Sequence, residues 1–261
     1  MNALRDAFRR HRFLFTELVK RDFKKKYKRT YLGMLWSLLS PLLSLSVMYV
    51  VFSNFFNSGI ENYLVYLFCG NIVWAYFSDA TNGGMASLMD NAEIFSKINV
   101  PKYLFLFSRN TSSLINFGAT FVVFLIFCVA TRVEFGFHFF LLLVPMLFLI
   151  VFNIGMGLIL SAMFVFFRDV QYLWTVFLTL LMYMSAIFYD PTSFEIFGIN
   201  ADLLLRLNPV YSYIKYFRVV VLDGVVPDLL THALVIGWAL LAVGIGALIY
   251  KRMNHKFLYY I

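Results

Sequence analysis

In the stretch Arg21-Asp22-Phe23-Lys24-Lys25-Lys26-Tyr27-Lys28-Arg29-Thr30-Tyr31-Leu32-Gly33-Met34-Leu35-Trp36, a dense cationic run passes within two residues into an apolar run. From Leu32 to Phe56 the sequence holds no charged residue, and about 20 apolar residues at 1.5 Å each cross a hydrocarbon core of about 30 Å. Positive charge close to a span resists translocation, and the first span usually sets the orientation of the rest. The stretch therefore predicts a first membrane span that begins at the cytoplasmic face.

The composition is that of a polytopic membrane protein. Of 261 residues, 61% are hydrophobic and 14% are charged, against about 25% charged in a soluble domain. The formal net charge is +8, but half of the 22 Lys and Arg precede residue 30. We therefore assign the basic excess to a membrane surface, or to a soluble partner there, and not to nucleic acid. Cys69 and Cys128 lie inside apolar runs without metal-type spacing, which predicts small buried hydrophobic residues.

The amino-terminal segment predicts an amphipathic helix over residues 3–20. At about 100° per residue, one arc of this helix is apolar and the other is polar and charged, with Phe13 as the one clear misfit. The apolar arc consists of Leu4, Ala7, Phe8, Leu14, Phe15, Leu18 and Val19, with His11 among them. A basic amphipathic helix of this length lies flat in the headgroup layer. We expect such an interfacial helix, and the alternative is a surface helix of a soluble domain.

Hydropathy predicts an all-α fold with six transmembrane helices. The predicted spans are Leu32–Phe52, Leu64–Gly83, Leu104–Ala130, Phe139–Phe166, Val170–Tyr189 and Leu229–Tyr250. With the amino end inside, 18 of the 22 Lys and Arg fall on the cytoplasmic side and 4 on the outer side, which favours two cytoplasmic termini. The chain then divides into the interfacial helix with its basic motif, the transmembrane domain and a cytoplasmic tail, at residues 1–31, 32–250 and 251–261.

The cytoplasmic loop over residues 84–103 predicts a short amphipathic helix that ends at Pro101. Its apolar residues follow a spacing of three and four at Leu88, Ala92, Phe95 and Ile98 or Asn99. Lipid cannot fully cover an apolar face at this position, so we expect the helix to dock on a partner. The alternative is a surface helix that packs under the bundle.

The outer segment over residues 190–228 is too long for a turn, yet its apolar runs are too short to span a membrane. Two short re-entrant or interfacial helices, broken at Asn208-Pro209, satisfy both constraints. This pattern is typical of a vestibule or gate. A small lid on the outer leaflet is the alternative.

The sequence contains no recognisable catalytic motif. The four His residues, at positions 11, 138, 232 and 255, are scattered over both predicted membrane faces and predict no metal site. No Gly-Lys dipeptide is present, which excludes the usual phosphate-binding P-loop and ATP hydrolysis by this chain alone. Asp79 is the only carboxylate inside a predicted span, so an ion-coupled relay has little support. We expect that energy for any transport enters from a partner at the cytoplasmic face.

Aromatic residues make up 20% of the chain. Most of them are expected to meet lipid or to pack between helices, but flat rings with a hydrogen-bonding edge also suit sugar rings. The candidates for such platforms are Trp36, Trp74, Phe77, Trp174 and Tyr183. Small residues usually mark close helix packing, which we expect at Gly155, Gly157, Gly237, Gly244 and Gly246.

Four motifs, in this order and spacing, resemble those of the permeases of polysaccharide ABC exporters, which serve O-antigen, capsule and teichoic acid export. The first comprises Arg21-Asp22, Lys24, Tyr27-Lys28, Leu32-Gly33, Trp36 and Pro41, although that family often has Arg where Lys26 stands. The others are Lys97-Ile98-Asn99-Val100-Pro101 in the cytoplasmic loop, Phe167-Arg168-Asp169 between spans four and five, and Asn208-Pro209. The resemblance runs over the whole chain.

The resemblance implies a homodimer of six-span subunits in the bacterial cytoplasmic membrane, with two separate ATP-binding subunits below. Those subunits would bind ATP and Mg, and this chain would carry no cofactor. The cargo would be a polyprenyl-pyrophosphate-linked glycan that enters from the inner leaflet. By analogy, helix 88–99 is the coupling helix that contacts the ATPase through Leu88, Ala92, Phe95, Ile98 and Pro101. The paired gate helices would contain Asn208, Pro209 and Tyr211.

The basic run has two interpretations. Its side chains recruit the pyrophosphate headgroup of the lipid carrier, each contributing about 1 kcal/mol near an anionic surface, or they only anchor the topology. The residues concerned are Lys24, Lys25, Lys26, Lys28 and Arg29. We favour a glycan exporter. The rival interpretations are the same architecture serving a drug, haem or lipid, and an ATPase-independent channel or scaffold.

Overall fold

The computed structural model describes residues 2–28, 30–56, 60, 62–97, 100–193, 195–196 and 198–260, and within these ranges the chain is predominantly helical. Its helices are α1 (Asn2–Tyr27), α2 (Trp36–Phe56), α3 (Tyr63–Ala86), α4 (Ala92–Lys97), α5 (Tyr103–Ala130), α6 (Leu143–Phe166), α7 (Val170–Met184), α8 (Ala201–Leu205), α9 (Pro209–Val221), α10 (Leu229–Met253) and α11 (Phe257–Tyr260). Short 3-10 turns lie at Gly33–Leu35, Met89–Asn91, Phe137–Leu142 and Pro191–Ser193. The strands β1 (Glu195–Ile196) and β2 (Ile199–Asn200), of two residues each, pair in antiparallel orientation.

Each of the six predicted spans contains one helix. Within the described residues, the helical segments long and apolar enough to cross a membrane are Gly33–Ser53, Tyr103–Ala130, Phe137–Phe166 and Leu229–Met253. The chain is therefore a multi-pass membrane protein. α3 has 24 residues, enough for about 36 Å, but carries more polar side chains, and α7 has only 15 residues. Six crossings stay a prediction.

The first helix is longer than the sequence predicts, because it continues beyond residue 20 to Tyr27 and includes most of the basic run. Its middle packs on α5, where Leu18 is buried in an apolar cluster with Phe105 and Leu106. One turn later Asp22 is also buried; its carboxylate accepts a hydrogen bond from the Ser108 hydroxyl at 3.3 Å. The predicted polarity of the helix is confirmed here, and Phe13, the misfit, is 71% exposed.

The core of the bundle is built around α3, which packs against α5, α6 and α9 and is buried over most of its length. α6 and α10 form the most extensive helix pair. They approach closely because Gly155 and Gly246 face each other's helix without a side chain. Of the five predicted packing glycines, Gly155, Gly157 and Gly246 lie at close helix contacts, whereas Gly237 and Gly244 have open space where a side chain would project.

The segment over residues 190–228 forms the two short helices that its sequence predicts, with the break at Asn208-Pro209. α8 has 5 residues and α9 has 13. The Asn208 side chain accepts hydrogen bonds from the backbone N–H groups of Val210 and Tyr211, and Pro209 occupies the first turn, where its missing N–H costs nothing. The chain therefore changes direction at Asn208-Pro209, where the amino terminus of α9 is capped. α9 then inserts among α3, α6 and α10.

Candidate functional site

The bundle has two functionally distinctive ends. The α1 end carries α1, α4, the start of α5 and the carboxyl-terminal helix α11. The α8 end carries the start of α3, the α5–α6 loop, α8 and the start of α10. Each end has a cavity, and the residues predicted to have a function divide between them.

The α1-end cavity has a volume of about 460 Å³ and is lined by α2, α3 and α5 together with the end of α1. Trp36 lines it and is 38% exposed. The Lys26 ammonium at its edge lies 2.9 Å from an Asp79 carboxylate oxygen, so the single carboxylate of the predicted spans is paired with the basic run. Nothing in the sequence predicts this pairing, because the two residues are 53 positions apart.

The remaining lysines of the basic run differ from Lys26. Lys24, Lys25 and Lys28 are exposed, and among the described residues none of them has a carboxylate partner within 4 Å. Arg29 lies outside the described residues. The structure thus divides the predicted headgroup-recruiting residues into one paired lysine and three exposed lysines. Their function stays a prediction.

The short helix predicted for residues 84–103 is present as the 3-10 turn Met89–Asn91 followed by α4. Its apolar face does not point outward as the docking hypothesis requires. Leu88 is completely buried and Phe95 is 5% exposed, in the cluster that also holds Leu18, Phe105 and Phe257. Leu88 and Phe95 are thus covered within the chain, which matches the alternative of a surface helix that packs under the bundle, and partner docking through this segment stays a prediction.

The other predicted docking residues are less decisive. Ala92 and Pro101 are half-buried, and Ile98 lies outside the described residues. The face that remains accessible is polar and consists of Asp90, Glu93, Ser96 and Lys97. A partner that contacts this helix meets charges rather than an apolar stripe.

Lys102 connects this segment to the carboxyl terminus. Its ammonium donates a hydrogen bond to the Asn254 carbonyl oxygen at 2.9 Å and lies 5.7 Å and 5.5 Å from the ring centres of Phe95 and Phe257. Partial desolvation lowers the pKa of Lys102, but the charge is retained because cation–π contacts and the carbonyl stabilise it. α4, α5 and the tail therefore form one packed unit, which we call the α1-end cluster.

The aromatic candidates do not form a common surface. Trp74, Phe77 and Trp174 pack together in the core, with ring centres 5.8 Å apart for Trp74 and Phe77 and 6.2 Å apart for Phe77 and Trp174. Tyr183 lies on α7 and is 57% exposed. Burial leaves the rings of the three core residues no open face for a sugar in this structure. Trp36 is the candidate that lines a cavity.

The α8-end cavity is larger, with a volume of about 750 Å³, and its lining is charged and polar. The predicted gate residue Tyr211 lies in its wall, where its hydroxyl donates to Asp202. The Lys215 ammonium donates to the same carboxylate at 2.6 Å. Arg206 lies 3.2 Å from Asp202 and 3.3 Å from Asp228, so this ion-pair network joins α8 to α9 and to the start of α10.

The electrostatics of the network favour the carboxylate form of Asp202. Desolvation alone would raise the pKa of Asp202, but hydrogen bonds from Lys215 and Tyr211 and the charges of Lys215 and Arg206 outweigh it and lower the pKa. The pKa of Asp228 is also lowered, chiefly by its hydrogen bond from the Thr231 hydroxyl and against partial desolvation. Both groups stay ionised at neutral pH and hold the ends of α8 and α10.

Arg218 is the most deeply buried charge at this end. Its side chain is 7% exposed, its guanidinium carbon lies 3.4 Å from the ring centre of Tyr66, and one terminal nitrogen donates to the Ile187 carbonyl at 3.0 Å. Its Nε has no hydrogen-bond partner. Arg218 is one of the four basic residues predicted on the outer side, and its burial could not be predicted because hydropathy does not show that α9 inserts into the core.

Within the described ranges, no group of three or more His, Cys, Asp or Glu could hold a metal ion. The two cysteines are buried and unpaired, as their apolar context predicts.

Fold and site together define a multi-pass helical membrane protein with a packed helical cluster at one end and a charged, helix-capped segment at the other. The chain belongs to the ABC-2 type transporter family, whose sequence model matches residues 14–222. It is therefore a transport component and not an enzyme by itself, and membership implies association with ATP-binding subunits.

Similar proteins span nearly the whole chain. The O-antigen export system permease protein RfbA of Myxococcus xanthus is 27% identical over 218 residues, which are 84% of both chains. A protein of the same name from Klebsiella pneumoniae is 24% identical over 247 residues, 94% of this chain and 93% of the relative. Another from Klebsiella pneumoniae is 24% identical over 246 residues. The resemblance drawn from the four sequence motifs is thereby confirmed.

Proposed function

We propose that this chain is the membrane-spanning subunit of an ATP-driven exporter of a cell-surface polysaccharide of the O-antigen, capsule or teichoic acid type. The observation that carries the proposal is the similarity, over 84% to 94% of this chain, to permeases named for O-antigen export. The same architecture serving a drug or another lipid is the second candidate in the transporter class. Family membership argues against the ATPase-independent channel or scaffold.

The assembly that we propose contains two copies of this chain and two ATP-binding subunits in the bacterial cytoplasmic membrane. Six spans with both termini cytoplasmic agree with the charge distribution of the sequence. α2 and α7 have apolar faces with little cover from the rest of the chain, including Val47 and Val50 on α2 and Leu173 and Val176 on α7. Lipid and the second copy would cover these faces.

The α1-end cluster is the proposed point of energy input. Because Leu88 and Phe95 hold α4 against α1, α5 and α11, a displacement of α4 moves these helices with it. The ATP-binding subunit would then contact the polar face with Glu93 and Lys97. Because the apolar residues Leu88 and Phe95 are covered within the chain, the proposal assigns the contact with the ATP-binding subunit to the polar face of the segment.

The α1-end cavity and the exposed lysines next to it are the proposed site of cargo entry. A polyprenyl-pyrophosphate-linked glycan brings two phosphates to the inner leaflet, and Lys24, Lys25 and Lys28 are exposed to receive such a group. Each contributes about 1 kcal/mol near an anionic surface. The polar segment at the α8 end, with Asn208, Pro209 and Tyr211, is the proposed gate.

The function is tested by deleting the gene in its host and restoring it on a plasmid. Loss of surface polysaccharide with accumulation of the lipid-linked glycan inside the cell, reversed by the plasmid, is the expected result. A drug or lipid exporter would leave surface polysaccharide at its wild-type level, and that result would refute the proposal.

The coupling role is tested by the double variant Glu93→Lys and Lys97→Glu. We expect it to reduce co-purification of the ATP-binding subunit in mild detergent, because it reverses both charges on the accessible face of α4. The control is Glu195→Lys, a charge reversal at an exposed position in the β-hairpin next to α8. Equal recovery of the ATP-binding subunit with wild type, control and double variant would contradict this docking face.

A further inference from the structure

The α8-end cavity has the properties of a built ligand site. Its volume of about 750 Å³ lies within the range of about 300–1,000 Å³ that small-molecule sites occupy. Arg218 lines it, is 93% buried and is held from two sides by the Tyr66 ring and the Ile187 carbonyl. A buried donor without a partner costs free energy, and the Nε of Arg218 is such a donor.

A second residue of the cavity lining also has a buried nitrogen atom without a hydrogen-bond partner. The Nε2 atom of His138, in the turn that leads into α6, is buried without a hydrogen-bond partner. Two unsatisfied nitrogen atoms from separate elements, α9 and the turn before α6, therefore belong to side chains that line the same cavity. Both atoms lie inside the wall, closed to a molecule the size of water, so a ligand in the cavity would contact the other polar groups of the lining.

The charge balance of the lining decides which chemistry fits. Lys215 and Asp202 neutralise each other, which leaves the cations Arg132 and Arg218 and the carboxylates Glu134, Asp190 and Asp223. Three carboxylates disfavour a phosphate or another anion, and two guanidinium groups disfavour a cation.

The wall of the α8-end cavity offers both charged hydrogen-bond donors and charged hydrogen-bond acceptors. It therefore suits a ligand group that can donate one hydrogen bond and accept another. Hydroxyl groups have this property, and hydrogen bonds to charged partners are the strong ones. A ligand with many hydroxyl groups and no net charge therefore matches the lining better than an ion does.

We infer that the α8-end cavity is a binding site for a short neutral carbohydrate segment, and that its occupant is the exported glycan. The second clause rests on the proposed function. Each subunit would hold one segment of the glycan at the far end of the bundle from the α1-end cavity. The ion-pair network of Asp202, Lys215 and Arg206 would keep the wall of this site in place.

The test uses the complete transporter with its ATP-binding subunits in lipid nanodiscs. The probe is the host polysaccharide released from its lipid by mild acid, and binding is measured by saturation-transfer NMR and titration calorimetry. Wild type should bind the probe. Asp223→Asn and Glu134→Gln should each weaken binding about tenfold, the effect of losing about 1.5 kcal/mol in one charge-assisted hydrogen bond. Glu195→Gln, at an exposed position outside the cavity lining, should bind as wild type does.

Two further ligands, dextran and inorganic phosphate, test whether binding is specific for the host glycan. Dextran of similar length should bind more weakly than the host glycan, and inorganic phosphate should not displace the host glycan. Equal, cavity-dependent binding of dextran would overturn the assignment of the cargo as occupant. Displacement by phosphate, no binding to wild type, or unchanged binding to both cavity variants would overturn the site.

The variants must be shown to fold. Asp223 and Glu134 make no ion pair among the described residues, so both variants should co-purify with the ATP-binding subunit in wild-type yield. A gene deletion that leaves surface polysaccharide intact refutes the proposed function. A deletion that removes it, while both cavity variants bind like wild type, refutes only the cavity inference.

Discussion

The contact between α6 and α10 gives the sharpest quantitative prediction, because two glycines in it have no room for a side chain. A Cβ atom at Gly155 would lie 2.5 Å from the backbone nitrogen of Val243 and 2.8 Å from the carbonyl oxygen of Ala242. A Cβ atom at Gly246 would lie 2.6 Å from the carbonyl oxygen of Gly155. The obstacle is backbone in each case, so no side-chain rotation can relieve it.

The displacement that Gly155→Ala requires follows from these distances. Ordinary van der Waals contact begins at 3.4 Å, so α10 must retreat by about 1 Å from α6. A gap of that size forfeits about a quarter to a half of the dispersion energy of the affected contacts, and overpacking of this kind costs about 1–3 kcal/mol. Removing a glycine from a helix returns about 0.5–1 kcal/mol. The variant should therefore be less stable than wild type by about 0.5–2 kcal/mol.

The assay is thermal stability in detergent, read as the temperature at which the fluorescent-tagged protein loses its monodisperse peak in size-exclusion chromatography. The midpoint should fall by about 2–4 °C for each kcal/mol in a chain of this size. Gly244→Ala and Gly237→Ala on α10, the other helix of this pair, are the controls, because nothing lies within 4 Å of the new methyl group. Their midpoints should equal or exceed that of wild type. Identical midpoints for Gly155→Ala and Gly244→Ala would refute the packing argument.

Two further predictions concern charges. The single variants Lys26→Asp and Asp79→Lys should each lower polysaccharide export more than the double variant that combines them, because the double variant restores an ion pair worth about 0.2–1 kcal/mol at this half-exposed position. The measurement is the amount of surface polysaccharide. A double variant that exports no more than either single variant would argue against the pairing. The folded-state pKa of Asp202 is lowered, so its stabilisation is present above the unfolded value of about 3.9 and disappears as pH falls through the lower folded value. The rate of hydrogen exchange of residues 201–212, corrected for intrinsic rates, should therefore be constant from pH 8 to pH 5. In the variant Asp202→Asn this rate should be faster over the whole range. A corrected exchange rate that already increases in the wild type at pH 5 would contradict the ionised form of Asp202.

The positions of the membrane helices could be predicted because length and apolarity are local properties of the sequence. Each predicted span contains a helix, and the differences at the ends come from capping and packing. α1 illustrates the limit, since its amphipathic pattern predicts the helix but not its continuation through Lys24 and Lys25. That continuation includes the buried Asp22, whose partner Ser108 is far away in the sequence.

The direction of an amphipathic face cannot be predicted in the same way. Spacing identifies the apolar side of the segment around α4, but the residues that cover Leu88 and Phe95 come from α1, α5 and α11. The glycines show the same limit. Gly244 and Gly246 are two positions apart with the same surroundings in sequence, yet only Gly246 faces α6. The sequence predicts a vestibule at the segment 190–228 but not its lining, because Arg132, Asp190 and Arg218 meet only after three separate elements have packed.

The burial of α9 limits where the α8 end could open. Ile214, Phe217 and Val220 are completely buried, and exposing each to water would cost about 1.5–3 kcal/mol, so a movement of α9 out of the bundle is expensive. α9 is also fixed to the end of α7, because the Asn208 amide donates to the Met184 carbonyl at 3.1 Å and to the Ser185 hydroxyl at 3.0 Å. α8 has only five residues and is held to α9 by the partly accessible network of Asp202. An opening at this end therefore costs least if α9 stays in place and α8 pivots about the connection before Asn208.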